Sequence, residues 1–206
     1  MNRKNRIAVL ISGGGTNLQS LIDAITQGEI PNAEIVIVIS SNLEAKGLER
    51  AKMAGIPGRV PKGPCDSREY SENLMHLLLE AKPDLVVLAG YLKILDKEIV
   101  NAFLGRIVNI HPSLLPKYGG KGCYGLKVHE MVLESGDTVT GATIHYVTEG
   151  VDQGEIILQH QMGVEKTDTP ESLASRVLDL EHQLMVEGVK KVLMEMDGRS
   201  EKWEDC

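Results

Sequence analysis

Asn109 and His111 stand two residues apart in the run Asn109-Ile110-His111-Pro112-Ser113-Leu114-Leu115-Pro116, and their types make chemical sense together. A fixed amide can donate to an oxygen that gains negative charge, and an imidazole gives or takes a proton near neutral pH. Residues at i and i+2 of a strand point the same way. Arg106 to His111 supplies the apolar positions of a buried strand, and Pro112 holds His111 extended while removing the next backbone donor. The pair is therefore expected side by side at the C-terminal edge of a strand, where open α/β sheets bind ligands. Spacing alone leaves a catalytic and a merely structural histidine both open.

Other candidates surround this pair. Ser12-Gly13-Gly14-Gly15-Thr16-Asn17 lies between an apolar strand and a helix, so its backbone N–H groups can approach an anion at the helix N-terminus. It lacks the Gly-Lys-Ser/Thr ending of a P-loop, and Leu18 takes the third glycine of the dinucleotide pattern. A phosphate cradle and a plain tight turn remain as readings. Thr148-Glu149-Gly150-Val151-Asp152-Gln153-Gly154 places an acid in a glycine-bracketed loop; Asp152 is functional only if the fold carries it to His111. Lys117 to Gly125 holds four glycines and reads as a flap, and its Cys123 has no nucleophile signature around it. Among the other histidines, His145 shares a strand face with Thr143 and could border a pocket. His76, His160 and His182 read as surface or satisfied residues, and His129-Glu130 starts a zincin-like motif that Leu133 breaks. No metal site is expected.

The elements that position these residues follow from periodicity. Ile7 to Ile11, Glu34 to Ser40 and Asp84 to Ala89 are continuous apolar runs suited to a sheet covered on both faces. Helices are expected over Leu18 to Ile25, Glu44 to Ala54 and Ser67 to Lys82, which gives parallel βα units. Val139 to Val147 alternates, and Glu155 to Gln161 follows after a short Gly-containing link, which predicts an antiparallel pair. A long helix starts near Thr169-Pro170 and is expected to end about Met196, leaving 197–206 as a loose tail. The expectation is one α/β domain over 1–206: a Rossmann-like open mixed sheet, mostly parallel, helices on both faces, with an antiparallel C-terminal strand pair.

Composition narrows the partners. The 206 residues carry 22 basic and 29 acidic side chains, a net charge of −7, which disfavours nucleic acid or an anionic membrane as the main partner. Three scattered cysteines, Cys65, Cys123 and Cys206, suggest a reducing, cytoplasmic setting. The apolar run after the basic N-terminus is too short for a signal peptide or a membrane span.

Together with Leu88-Ala89-Gly90-Tyr91-Leu92-Lys93-Ile94-Leu95 and Val151-Asp152-Gln153-Gly154, these motifs resemble the glycinamide ribonucleotide formyltransferases, over about Arg6 to Lys191. The resemblance implies transfer of a formyl group from 10-formyltetrahydrofolate to the amine of N1-(5-phospho-D-ribosyl)glycinamide, in purine biosynthesis. It implies that Gly15, Thr16 and Asn17 hold the phosphate, with Leu178, Asp179, Leu180 and Glu181 near the ribose and glycinamide. It implies a folate site lined by Arg68, Leu92, Lys93, Ile94, Leu95, Asn109, Thr148, Glu149, Gly150, Val151 and Asp152. It implies that Asn109, His111 and Asp152 are catalytic, with a protonated His111 helping Asn109 to stabilise the oxyanion. Two alternatives stay open. One is another 10-formyltetrahydrofolate user, a hydrolase or methionyl-tRNA formyltransferase relative, against which the length argues. The other is a non-catalytic phosphosugar- or folate-binding module, which would have no use for the Asn, His and Asp together. A homodimer is compatible with all of them.

Overall fold

Ile7 to Ile11 is apolar at every position, a pattern that needs cover on both faces of a sheet. In the computed structural model, which describes residues 3–204, this run is an inner strand of a seven-stranded sheet. The strands are β1 (Asn5–Ile11), β2 (Ala33–Ser40), β3 (Gly58–Arg59), β4 (Leu85–Leu88), β5 (Ile107–His111), β6 (Val139–Tyr146) and β7 (Ile156–Gly163). Their order is β3-β2-β1-β4-β5-β6-β7. β1 to β5 are parallel, whereas β6 runs antiparallel to both β5 and β7. The expected mixed, mostly parallel sheet is present, and its antiparallel region extends one strand further inward than the β6–β7 pair.

Side-chain alternation sorts the core into two layers. Ile7, Val9, Ile11, Val87, Val108, Ile110 and Ile144 pack toward α1 (Thr16–Thr26), α2 (Lys46–Met53), α5 (Leu126–Glu134) and α6 (Pro170–Glu204). Ala8, Leu10, Val86, Leu88 and Ile107 pack on the other face, toward α3 (Arg68–Ala81) and α4 (Lys97–Ala102). Leu10 and Val87 are wholly buried; truncating such a leucine typically costs about 2–5 kcal/mol. Gly188 sets the approach of α6 to β6, since a Cβ there would fall 2.6 Å from Ile144 Cδ1.

Helix ends follow local chemistry. The Ser67 hydroxyl accepts from Tyr70 N–H at 3.1 Å and starts α3, which ends at Lys82 in the left-handed region just before Pro83. α2 starts at Lys46 rather than Glu44, because the Asn42 side chain takes the Glu44 N–H at 3.0 Å in a turn of its own. The largest departure is α6, which runs through Glu204 rather than stopping near Met196, so 197–204 is helix and not a loose tail. Asp197 accepts from Asn5 Nδ2 at 3.1 Å, tying this turn to the start of β1. The rest of the expected tail, Asp205 and Cys206, lies outside the described residues. α4, α5 and β3 went unforeseen: α4 and β3 are too short for a periodic signal, and α5 follows the glycine-rich segment directly.

Candidate active site

β1 and β4 are the neighbours between which the strand order reverses, so their C-terminal ends open a crevice. The Ser12 hydroxyl accepts from Leu92 N–H at 2.8 Å and from the Ser41 hydroxyl at 2.7 Å, joining the loops after β1, β2 and β4 there. Beside this junction lies a cavity of about 570 Å³. The period of two in β5 turns Ile107, Asn109 and His111 to one face, and the last two reach the cavity wall.

β6 pairs Asn109 with His145 and His111 with Thr143, and directly opposed residues share a face. His145 thereby enters the site. Its Nδ1 donates to the Tyr146 carbonyl at 2.8 Å, which leaves Nε2 to accept from Asn109 Nδ2 at 3.1 Å. Asp152, with a φ of 55°, bends the β6–β7 loop inward. Its two carboxylate oxygens stand 3.6 Å from His111 Nδ1 and 3.5 Å from His145 Nε2, and one also accepts from Gly120 N–H at 3.0 Å. The other nitrogen of His111, Nε2, donates to the Tyr118 carbonyl at 2.8 Å. The fold thus brings Asn109, His111 and Asp152 together.

The charges follow from burial. His111 is 4% exposed, and desolvation lowers its pKa despite the opposing pull of Asp152 and the Tyr118 carbonyl; His145 adds a further lowering. His111 is therefore neutral near pH 7, where the sequence reading has an imidazolium. Burial works against the Asp152 carboxylate, but the facing rings of His145 and His111 and the Gly120 N–H outweigh it and hold its pKa below the usual range. Asp152 remains ionised.

The residues assigned to a folate site divide. Leu92, Lys93, Ile94, Leu95 and the whole of Thr148 to Asp152 line the cavity together with Asn109. Leu92 and Ile94 are 59% and 61% exposed, an apolar lip. Arg68 is not brought there: its side chain is 92% exposed at the start of α3 and pairs with Glu72 at 2.7 Å. Of Leu178 to Glu181 only Glu181 lines the cavity, because one face of α6 meets the sheet while Asp179 points to solvent. Glu181 accepts from Asn17 Nδ2 at 2.8 Å, and burial pushes its pKa up to about 7 against that donor.

Gly15 is the N-cap of α1, with a φ of 70°, and no side chain caps the helix. The first intrahelical bond runs from Gln19 N–H to the Gly15 carbonyl, so the N–H groups of Thr16, Asn17 and Leu18 precede the helical ladder. A Cβ on Gly15 would lie 2.6 Å from Gly47 Cα, whereas Gly13 and Gly14 face open space. Contact with α2 therefore demands the third glycine, and the first two leave room for a ligand.

Sequence reasoning missed Tyr91, whose hydroxyl meets that of Tyr70 at 3.0 Å; the segment read as a flap contributes Gly120 to Gly125 as one wall of the cavity. His145 was legible only as a residue on the Thr143 face, because the β5–β6 pairing was not seen. Among the described residues, no group of three or more His, Cys, Asp or Glu could hold a metal ion.

A profile described as formyl transferase matches residues 5–189. The chain belongs to the formyl transferase family. Within it, the chain is 44% identical over 181 residues to a phosphoribosylglycinamide formyltransferase of Haemophilus influenzae, covering 87% of this chain and 82% of that one. A chloroplastic phosphoribosylglycinamide formyltransferase of Arabidopsis thaliana is 45% identical over 197 residues, 94% of this chain. The chain spans about two thirds of the length of the plant relatives, 67% and 62%, and 18% of a bovine trifunctional purine biosynthetic protein. The crystal structure of a glycinamide ribonucleotide transformylase from Symbiobacterium toebii is 41% identical, with a TM-score of 0.84 over 92% of this chain and 88% of that one. A formyltetrahydrofolate deformylase from Pseudomonas syringae has the same fold at 26% identity, with a TM-score of 0.85 over 94% of this chain and 62% of that one.

Proposed function

We propose that the chain transfers the formyl group of 10-formyltetrahydrofolate to the amine of N1-(5-phospho-D-ribosyl)glycinamide, a step of purine biosynthesis. The observation that carries this reading is the meeting of Asn109, His111, His145 and Asp152 at the wall of one cavity. The names of the relatives supply the substrates. The apolar lip of Leu92 and Ile94 suits the folate ring system, and the uncapped start of α1 suits the substrate phosphate. Free thiols at Cys65 and Cys123 suit a cytoplasmic setting.

The reaction forms a bond from the amine nitrogen to the formyl carbon, breaks the bond from that carbon to N10, and moves one proton from amine to N10. One N–H of Asn109 is held by His145, which orients the other toward an oxygen that gains negative charge in the transition state. His111 is neutral with Nε2–H engaged, so Nδ1 carries the lone pair that takes the proton of the attacking amine. Asp152 stabilises the resulting imidazolium, which then protonates the leaving nitrogen. Such a base and such a donor are each typically worth about a hundredfold or more.

A second reading, hydrolysis of the formyl donor with water in place of the amine, is favoured by the deformylase that shares the fold. A single assay separates them. Incubation with formyl donor, with and without glycinamide ribonucleotide, is expected to yield tetrahydrofolate and formylated product only when the ribonucleotide is present. Equal tetrahydrofolate release without it overturns the proposal in favour of hydrolysis.

A further inference from the structure

The segment Lys117 to Gly120 lies across the acid–base pair and touches both members. At one end the Tyr118 carbonyl accepts from His111 Nε2 at 2.8 Å; at the other, Gly120 N–H donates to Asp152 at 3.0 Å. Tyr118 has a φ of 56°, a conformation that L residues other than Asn and Asp seldom keep unless their surroundings impose it. The Tyr118 hydroxyl donates to Asp137 at 2.7 Å and meets the Ser135 hydroxyl. Lys117 bonds the same Asp137 carboxylate and stands 5.2 Å over the Tyr118 ring, while Ser113 Oγ donates to the Lys117 carbonyl at 2.6 Å. Lys117 and Tyr118 hold the Asp137 carboxyl below its usual range.

A neutral imidazole has one N–H, and two acceptors compete for it at His111. Asp152 faces Nδ1 and, acting alone, would draw the proton there, leaving a ring that cannot take a proton from the substrate at that nitrogen. The Tyr118 carbonyl faces Nε2 and can only accept. We propose that Tyr118 is a positioning residue for His111: Asp137 and Ser135 hold its phenol so that its carbonyl keeps the proton on Nε2 and leaves Nδ1 free as the base. This rests on the reading of His111 as the proton-transfer group. The other titratable groups whose charge acts on or is acted on by the ring are His145 on β6 and His129 on α5, and both would disfavour its charged form rather than offer an acceptor to Nε2–H by charge.

The test reads the tautomer directly, by long-range 1H–15N correlation of the histidine rings in the unliganded protein. Tyr118→Phe keeps the aromatic ring and removes the hydroxyl; Asp137→Ala removes its acceptor; Asp137→Asn retains an oxygen that can accept from the phenol. In the wild-type protein His111 is expected with Nε2 protonated. In Tyr118→Phe and Asp137→Ala the Nδ1–H form should gain population and kcat should fall roughly fivefold to tenfold, with KM for both substrates within about twofold. Asp137→Asn should stay near wild type on both readouts. Unchanged His111 nitrogen shifts in both disrupting variants, in proteins whose spectra show them folded, overturn the proposal. So does a shifted tautomer with undiminished kcat. Failure of the underlying reading looks different: His111→Asn would retain full formyl transfer while the tautomer result still stood.

Discussion

The Asp152 carboxylate lies 3.6 Å from His111 Nδ1, in a site that buries both side chains. Burial disfavours the imidazolium, Asp152 favours it, and burial wins while no proton is being transferred. In the proposed reaction the carboxylate therefore acts on the imidazolium that His111 would form rather than on its neutral resting state. Asp152→Asn keeps the shape and deletes the charge. His111 should then titrate lower still, and kcat should fall roughly a hundredfold or more. NMR titration of His111 in both proteins checks the first part, and an unmoved pKa refutes the electrostatic role.

The glycine loop allows a test within itself. Gly14 faces open space, so Gly14→Ala should fold normally and raise KM for the phosphosugar more than for the formyl donor. Gly15→Val places a β-branched side chain at a φ of 70° and a Cβ 2.6 Å from Gly47 Cα. It should destabilise the protein by more than the roughly 1–3 kcal/mol typical of a strained backbone alone. Urea unfolding of both variants, beside KM for each substrate, separates ligand contact from helix packing.

Glu181 titrates near pH 7 because burial raises it further than the Asn17 amide lowers it. Removing that donor in Asn17→Ala should move the midpoint upward, so more of the carboxyl is protonated at neutral pH. Carbon-13 titration of the side-chain carboxyl reports the shift, and a downward movement would mean that the amide is not its controlling partner.

His129 is 3% exposed, its Nδ1 has no hydrogen-bond partner, and burial lowers its pKa, as it does that of His111. A histidine whose folded pKa lies below its unfolded value contributes stability that is present above the unfolded value, about 6.5, and is lost as pH falls through the folded one. Stability should therefore decline from about pH 6.5 downward, by at most about 1.4 kcal/mol per pH unit for each histidine. His129→Leu should flatten that decline, measured as the urea midpoint between pH 7 and 5. An unchanged slope would assign the acid sensitivity elsewhere.

Much of the fold was legible because its evidence is local. Continuous apolar runs marked β1, β2 and β4, and helical spacing marked α1 and α3. The outcome differed where an element's signal came from its neighbours. β6 alternates correctly for an antiparallel strand, yet nothing in its residues says that it pairs with β5 as well as β7. That missing pairing is also what left His145 outside the expected site. The last turns of α6 carry no apolar stripe, and a link from Asp197 to Asn5, 192 residues away, is invisible to any local window. Arg68 shows the converse: a resemblance can supply a residue's role, but only packing decides where its side chain reaches.

That Asn109 and His111 would share one face at a strand's end was settled by their own residues, since a two-residue period and a following proline are properties of the local chain. The same holds for the glycine turn before α1. The surroundings of this pair came from the tertiary structure: Asp152 and His145 beside it, the Tyr118 carbonyl on Nε2, and the burial that leaves His111 neutral. Charge state is set by desolvation and by neighbours within a few ångströms, and both exist only once the chain has closed around the site.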